Sequence, residues 1–250
     1  MVKSVIVTGV SRGIGRSVVE QILNGREDAI VTGIARSECS LKSLKDQFGN
    51  RFFYVVGDVT DTNSIRSLIQ MALSKAGKID SIVANAGVLE PVQSIQNANV
   101  ESWKKLFDVN FFSVLMLSIL AMPHLIKSQG NLIFVSSGAS NKWYSGWGAY
   151  GASKAALNHL ALTISNEGDG VKTISVAPGV VDTQMQVEIR ERFGPAGMSS
   201  ESLKRFNDLK TNGSLLDPKI PAEVYVNLAL QGIPNELNGA YVRYNDKRLV

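Results

Sequence analysis

The stretch Ser4-Val5-Ile6-Val7-Thr8-Gly9-Val10-Ser11-Arg12-Gly13-Ile14-Gly15 constrains the fold more than any other part of the chain. Its first four residues form a compact apolar, β-branched run of the kind found in a buried parallel strand. The run breaks into a glycine-rich turn, after which Val18, Val19, Ile22 and Leu23 recur at helical spacing. Strand, turn and helix in that order call for a following strand parallel to the first, reached by a right-handed crossover. In that setting the turn can hold a pyrophosphate. Glycines let the backbone approach phosphate oxygens, and the helix N-terminus offers free N–H groups and a favourable dipole. On this reading Gly9, Ser11, Arg12, Gly13, Ile14 and Gly15 line a phosphate site. The glycine spacing is Gly-x-x-x-Gly-x-Gly, and a β–α connection that binds nothing is the plainer alternative.

The alternation continues to the C-terminus. Ala29–Ala35, Phe52–Val56, Ser81–Ala84, Asn131–Val135, Thr173–Ala177 and Ala240–Tyr244 read as further strands. Asp61 is placed to cap a helix running to about Ala76, and Pro221–Leu230 reads as the last helix. No linker or repeat divides the chain, so it is expected to form one α/β domain over 1–250, with 1–98 mainly its dinucleotide-binding half.

The end of the second strand is where a dinucleotide site reads the adenosine ribose, and an acidic residue there selects NAD. Here the strand ends in Ala35 and Arg36, with Arg12 projecting from the glycine turn. Two guanidiniums converging on one spot suit a phosphate and predict NADP(H), although both could be solvated surface arginines. Asp58 and Val59, after the third strand, are placed to reach an adenine ring, or Asp58 caps the next turn. Asn85-Ala86-Gly87, after the fourth, would let a cofactor pass close to the backbone while Asn85 fastens the strand end.

Composition excludes several function classes. The net charge of +4 is modest and its basic residues are scattered, so no nucleic-acid surface is expected. Cys39 is the only cysteine, which rules out an intrachain disulfide and suits a reducing compartment. The N-terminus lacks the apolar region of a signal peptide. The apolar run Val109–Leu120 is too short to span a bilayer and contains Asn110, Ser113 and Ser118, so no membrane role is expected. A cytoplasmic location follows as the expectation. His124 and His159 lack metal-ligand spacing, so no metal site is expected.

The middle of the chain carries the chemistry. Glu101 to Ser128 reads as a long helix interrupted near Pro123, with Asn110 as a lone amide among apolar residues. A buried amide needs partners, so Asn110 either stitches the core or faces a site. Ser136-Ser137 follows the fifth strand, where open α/β sheets place their ligands. Tyr150-x-x-x-Lys154 puts a phenol and an ammonium on one helix face, a turn apart. A neighbouring ammonium favours the phenolate and lowers the tyrosine pKa, tuning it for acid–base work.

In order and spacing, Thr8-Gly9-x-x-x-Gly13-x-Gly15, Asn85-Ala86-Gly87, Asn110, Ser137, Tyr150-x-x-x-Lys154 and Pro178-Gly179 resemble the short-chain dehydrogenase/reductase family across essentially the whole chain. Residues 148–158 and 238–246 are most similar to the sepiapterin reductase and fungal benzil reductase branch. The resemblance implies a single Rossmann domain whose doubly wound, seven-stranded parallel sheet is flanked by helices. It implies a catalytic tetrad of Asn110, Ser137, Tyr150 and Lys154. It adds Pro178, Val181 and Thr183 to the cofactor contacts, and gives Tyr150 and Lys154 a share in them. Its members commonly pair through two long helices, here Glu101–Ser128 and Tyr150–Asn166, so a homodimer or homotetramer is expected.

The implied activity is NADPH-dependent reduction of a ketone or diketone, with Tyr150 giving the proton. An NADP-dependent alcohol or steroid dehydrogenase, an enzyme acting on an acyl thioester, and a non-catalytic NADPH-sensing protein are the alternatives. Residues 184–217 lose the α/β rhythm and are expected to form a mobile substrate-binding loop or lid. Met185, Val187, Phe193, Met198 and Phe206 would roof the pocket, and Trp143, Tyr144 and Trp147 would wall it. Such a pocket favours a bulky, flat or aromatic ketone.

Overall fold

The computed structural model describes residues 2–249. Met1 and Val250, the ends of the expected 1–250 domain, lie outside the described residues. Seven parallel strands form one sheet: β1 (Lys3–Thr8), β2 (Ala29–Ala35), β3 (Phe52–Val56), β4 (Ser81–Ala84), β5 (Asn131–Val135), β6 (Lys172–Ala177) and β7 (Tyr241–Arg243). Their order across the sheet is β3-β2-β1-β4-β5-β6-β7. The chain winds outward from β1 to β3, then returns to place β4 on the other side of β1. That reversal opens a crevice at the carboxyl ends of β1 and β4, the position at which doubly wound sheets bind ligands.

The strands are apolar on both sides because both faces are covered. Val5 and Val7 of β1 face one core, with α1 (Gly13–Gly25), α2 (Glu38–Phe48) and α10 (Lys219–Gln231). Ile6 faces the other, with α3 (Thr62–Ala76), α5 (Ser113–Ser128) and α6 (Gly148–Glu167). The two-residue period of a strand divides β4, β5 and β6 between the same layers. Asp61 caps α3 as read from the sequence, accepting from the Asn63 and Ser64 amides at 3.3 and 2.9 Å.

Two expectations about the long helix need correction. The helix does not break at Pro123, which lies inside α5. The carbonyl left without a partner by the proline is that of Ile119, whose residue is exposed, so solvent can satisfy it. The irregularity lies earlier: α4 (Val100–Phe107) passes into a π turn, Asp108–Phe112, before α5 begins. The helical run Val100–Ser128 is therefore continuous and, by length and composition, long enough to cross a membrane. Its apolar character has a core explanation along one face, where Val114, Leu117, Ala121 and Leu125 are buried against the sheet.

The segment expected to be a mobile loop is helical. It comprises α7 (Gln184–Glu188), a π turn (Ile189–Phe193), α8 (Gly194–Gly197) and α9 (Ser200–Thr211). Its two ends are tied together: Leu216 N–H donates to Val180 O at 2.9 Å, and Asp182 N–H donates to Leu216 O at 2.8 Å. The Lys210 ammonium lies 2.8 Å from the Asp182 carboxylate. Tracing this segment as loop overlooked its amphipathic spacing, with Met185, Ile189 and Phe193 on one side and Phe206 and Leu209 in the next helix.

Candidate active site

The crevice is built from strand ends. Thr8, the last residue of β1, accepts the backbone N–H groups of Asn85 and Ala86 on its hydroxyl, both at 3.0 Å. Asn85 answers by donating its amide to Thr8 O at 2.9 Å and Gly9 O at 3.1 Å. The glycine turn and the end of β4 are thus clamped to each other. Gly9 has φ of 73°, a left-handed conformation suited to glycine, and a Cβ on Gly15 would strike both Gly9 O and the Asn85 amide.

Arg12 lies at the N-cap position of α1, which has no side-chain cap and no acidic residue in its first turn. The N–H groups there are open to an anion. Thr183 packs against Gly13, which brings the start of the α7 segment onto the phosphate turn. These features fit a dinucleotide: a helix N-terminus without a side-chain cap, and a tight glycine turn that leaves its backbone N–H groups facing the crevice. Ser11 and Ile14 occupy the same turn and helix start, and Ala86 and Gly87 continue the opposite wall.

Each of the two arginines has a carboxylate partner. Arg12 lies 3.7 Å from Glu188 on α7, while Arg36 lies 3.9 Å from Asp58. Both guanidiniums are largely exposed, and each sits against the carboxylate nearest to it. Asp58 also accepts from the Thr60 amide and hydroxyl, both at 2.9 Å, so it makes the turn-capping bonds of its alternative reading. Val59 adjoins it and packs against the core layer under α3.

On the far side of β4 the chemistry-bearing groups gather. Tyr150 and Lys154 lie on the first turns of α6, both buried, and Ser137 follows β5. The Ser137 hydroxyl, which accepts from the Ala139 N–H at 3.1 Å, favours the ionised form of the Tyr150 phenol. Ser137 is held from behind: its carbonyl accepts from the Ser140 hydroxyl at 2.7 Å and the Tyr241 hydroxyl at 3.2 Å. Lys154 Nζ donates to Val135 O at 2.8 Å and stands 5.8 Å from the Tyr150 ring centre. Asn110, fully buried in the π turn, accepts from Val88 N–H and donates to Val88 O, both at 2.8 Å. It also donates to the Ser153 hydroxyl at 3.2 Å. Its amide stitches the chain beyond β4 to α6, and Gly87 lies between it and Lys154.

Burial, not the lysine, sets the charge state of the tyrosine. It raises the Tyr150 pKa above its ordinary value, and the Ser137 hydroxyl pulls the other way. Burial also lowers the Lys154 pKa to about 8. The Tyr150 pKa is thus raised in this structure, not lowered as expected from Lys154 one turn away, because burial removes the hydration of the phenolate.

A family profile described as short chain dehydrogenase matches residues 3–193. The chain belongs to the short-chain dehydrogenase family. It is 51% identical over 259 residues to a benzil reductase ((S)-benzoin forming) of Saccharomyces cerevisiae, covering 100% of this chain and 98% of that protein. A Bacillus cereus benzil reductase ((S)-benzoin forming) is 33% identical over 235 residues, covering 90% of this chain and 92% of its own. A crystal structure of a short chain dehydrogenase/reductase from S. cerevisiae superposes with a TM-score of 0.98 at 56% identity. That match covers 99% of this chain and 98% of the other.

This short-chain dehydrogenase carries a separate apolar cluster containing Tyr150, Trp147, Ile189 and Phe206, with Tyr144, Met185, Phe193 and Met198 packed against it. Two of the expected pocket residues do not join it. Trp143 is 83% exposed and points away from the cluster, and Val187 lies on the other face of α7. Leu89, Val92, Trp103 and Phe107, from the β4–α4 connection and α4, complete the cluster and were not foreseen. Leu89 and Val92 sit in irregular chain, where no periodic signal marks the buried face, whereas Trp103 and Phe107 share one face of α4. Pro178, Gly179 and Val181 lie beyond β6, with Val181 paired to Leu216 at the base of the α7–α9 segment.

Proposed function

We propose that the protein is an NADPH-dependent carbonyl reductase that converts a bulky aromatic ketone or diketone, of the benzil class, to an alcohol. The observation that carries this reading is the buried Tyr150, which belongs to an aromatic-lined apolar cluster and meets the Trp147 ring edge-to-face at 5.6 Å. A nicotinamide dinucleotide held along the β1–β4 crevice supplies hydride. The glycine turn and the α1 N-terminus bind its phosphates, Arg36 and Arg12 select the 2′-phosphate, and Asp58 and Val59 flank the adenine. Asn85, Ala86, Gly87, Pro178, Val181 and Thr183 border its nicotinamide half.

Tyr150 gives its proton to the substrate oxygen as negative charge develops there. The phenol is protonated at neutral pH and so can act as the general acid. The Ser137 hydroxyl bonds the same oxygen and stabilises its growing charge. Lys154 binds ribose hydroxyls, and Asn110 fixes the backbone beside it and supports a water that returns protons to the site. The apolar cluster roofed by α7–α9 excludes bulk water. Following NADPH absorbance with benzil as substrate tests the reading; NADPH binding without turnover on any diketone, quinone, pterin or steroid would favour a cofactor-sensing protein instead.

We further propose a cytoplasmic homodimer or homotetramer. The outer face of Val100–Ser128 exposes Phe112, Ile119 and Ile126, and α6 exposes Leu162. Sedimentation should show Ile119→Glu to be monomeric beside an oligomeric parent; a monomeric parent would refute the assignment.

A further inference from the structure

Trp147 is 8% exposed, yet its indole Nε1 has no hydrogen-bond partner among the described residues. An indole N–H is a donor only, and burying it without an acceptor costs about 1–3 kcal/mol. The ring cannot turn away to find one. It stacks on Tyr144 at 5.0 Å and on Phe206 at 5.3 Å, and meets the Tyr150 ring edge-to-face at 5.6 Å. Its backbone is fixed as well: Trp147 N–H donates to Tyr144 O at 3.2 Å, and the neighbouring Gly146 O accepts from Gln93 N–H at 2.9 Å. A rigid donor without an acceptor therefore adjoins the ring whose hydroxyl protonates the substrate.

We infer that Trp147 is a substrate-binding residue, whose indole N–H donates to the second oxygen of a vicinal dicarbonyl while Tyr150 and Ser137 hold the first. The assignment rests on the carbonyl reductase reading. A vicinal carbonyl matches what Trp147 lacks: it offers an acceptor next to the reacting group and brings no donor that would need its own partner. Hydride from NADPH adds to the carbon of the carbonyl held by Tyr150, and the Tyr150 proton goes to that oxygen. The carbonyl on Trp147 keeps its double bond. The product is a hydroxyketone, and a diol is not formed while the second oxygen remains on the indole.

The test compares benzil with 1,2-diphenylethanone, which lacks only the second oxygen. Diketones are intrinsically the more electrophilic, so the diagnostic quantity is the change in the kcat/KM ratio between variants. Trp147→Phe should lower kcat/KM for benzil about three- to tenfold, the value of one neutral hydrogen bond, and leave the monoketone within about twofold. An equal fall for both substrates would make Trp147 a packing residue and overturn the inference. Turnover of neither by the parent protein would overturn the reductase reading itself.

A second measurement does not depend on the variant folding. Benzil added to the parent protein's NADP+ complex should move the Trp147 indole proton resonance, assigned by exclusion with Trp143→Phe and Trp103→Phe. An unmoved resonance in a complex that binds benzil would also overturn the inference.

Discussion

The crevice at β1 and β4 and the cluster beneath α7–α9 border the same tyrosine, yet they are made in opposite ways. The crevice is backbone, clamped by the reciprocal bonds of Thr8 and Asn85, with glycines where a Cβ would collide. The cluster is side chain: Tyr144, Trp147 and Phe206 packed ring on ring, with the Trp147 indole N–H buried and unpaired among the described residues. A backbone cradle is indifferent to most side-chain substitution and suits a cofactor that does not change. A side-chain cluster is re-cut by each substitution and suits a substrate that does. Tyr150, Ser137 and Lys154 lie on the seam between them.

If the chemistry resides on that seam, the largest effect comes from removing one oxygen there. Tyr150→Phe should lower kcat by at least ~10²–10⁴-fold while NADPH affinity, read by fluorescence titration, stays near that of the parent. Turnover close to the parent's would place the proton donor elsewhere.

Lys154 offers the next largest effect, through its burial. Its pKa is about 8 in the folded protein, below the ordinary 10.5, so between those values the unfolded chain binds the additional proton. The penalty of burying its charge is full below pH 8 and is relieved as pH rises towards 10.5. Stability of the parent relative to Lys154→Met should therefore climb with pH across this window, by up to about 3 kcal/mol for a shift of that size. Urea unfolding of both proteins at pH 7 and pH 10 measures it; a constant difference would mean that Lys154 keeps its ordinary pKa.

The same contrast explains what was legible in the sequence. The crevice could be read because its parts are local: a β-branched run, a glycine turn and a capping Asp61 each announce themselves within a few residues. Tyr150 and Lys154 were legible for the same reason, being one helical turn apart. Their protonation was not, because burial is a property of the whole fold, and here it raises the Tyr150 pKa and lowers that of Lys154. The cluster was legible only in part. Met185, Phe193, Met198 and Phe206 were named, but Leu89, Val92, Trp103 and Phe107 arrive through tertiary packing. Trp143 reads like its neighbours Tyr144 and Trp147, and nothing local tells that it faces solvent. Asn110 could be read as a polar residue needing partners; that it stands in a π turn could not, since no residue type marks one.

Within the crevice, the end of β2 should carry cofactor choice. Arg36 stands 3.9 Å from Asp58, and the selectivity assigned to it is open to direct test. Arg36→Asp should move the kcat/KM ratio of NADPH to NADH by about ten- to a hundredfold towards NADH, the value of a charge-assisted hydrogen bond or two. An unchanged ratio would exclude Arg36 as the reader of the 2′-phosphate.

The smallest effect tests whether the two regions are coupled at all. Arg12 on the crevice side is 3.7 Å from Glu188 on α7, and the pair is partly exposed, with side-chain accessibilities of 65% and 30%. An ion pair in such surroundings is worth no more than about 1 kcal/mol, which corresponds to roughly fivefold in affinity. If Arg12 must leave Glu188 to meet a 2′-phosphate, Glu188→Gln should tighten NADPH by up to that factor. NADH, which lacks the phosphate, should bind both proteins alike. The difference should shrink with added salt, because exposed charges are screened within a Debye length of about 8 Å at physiological ionic strength. Equal tightening of NADPH and NADH would instead assign the effect to the position of α7, and no tightening of either would leave the crevice and the cluster independent except through Tyr150.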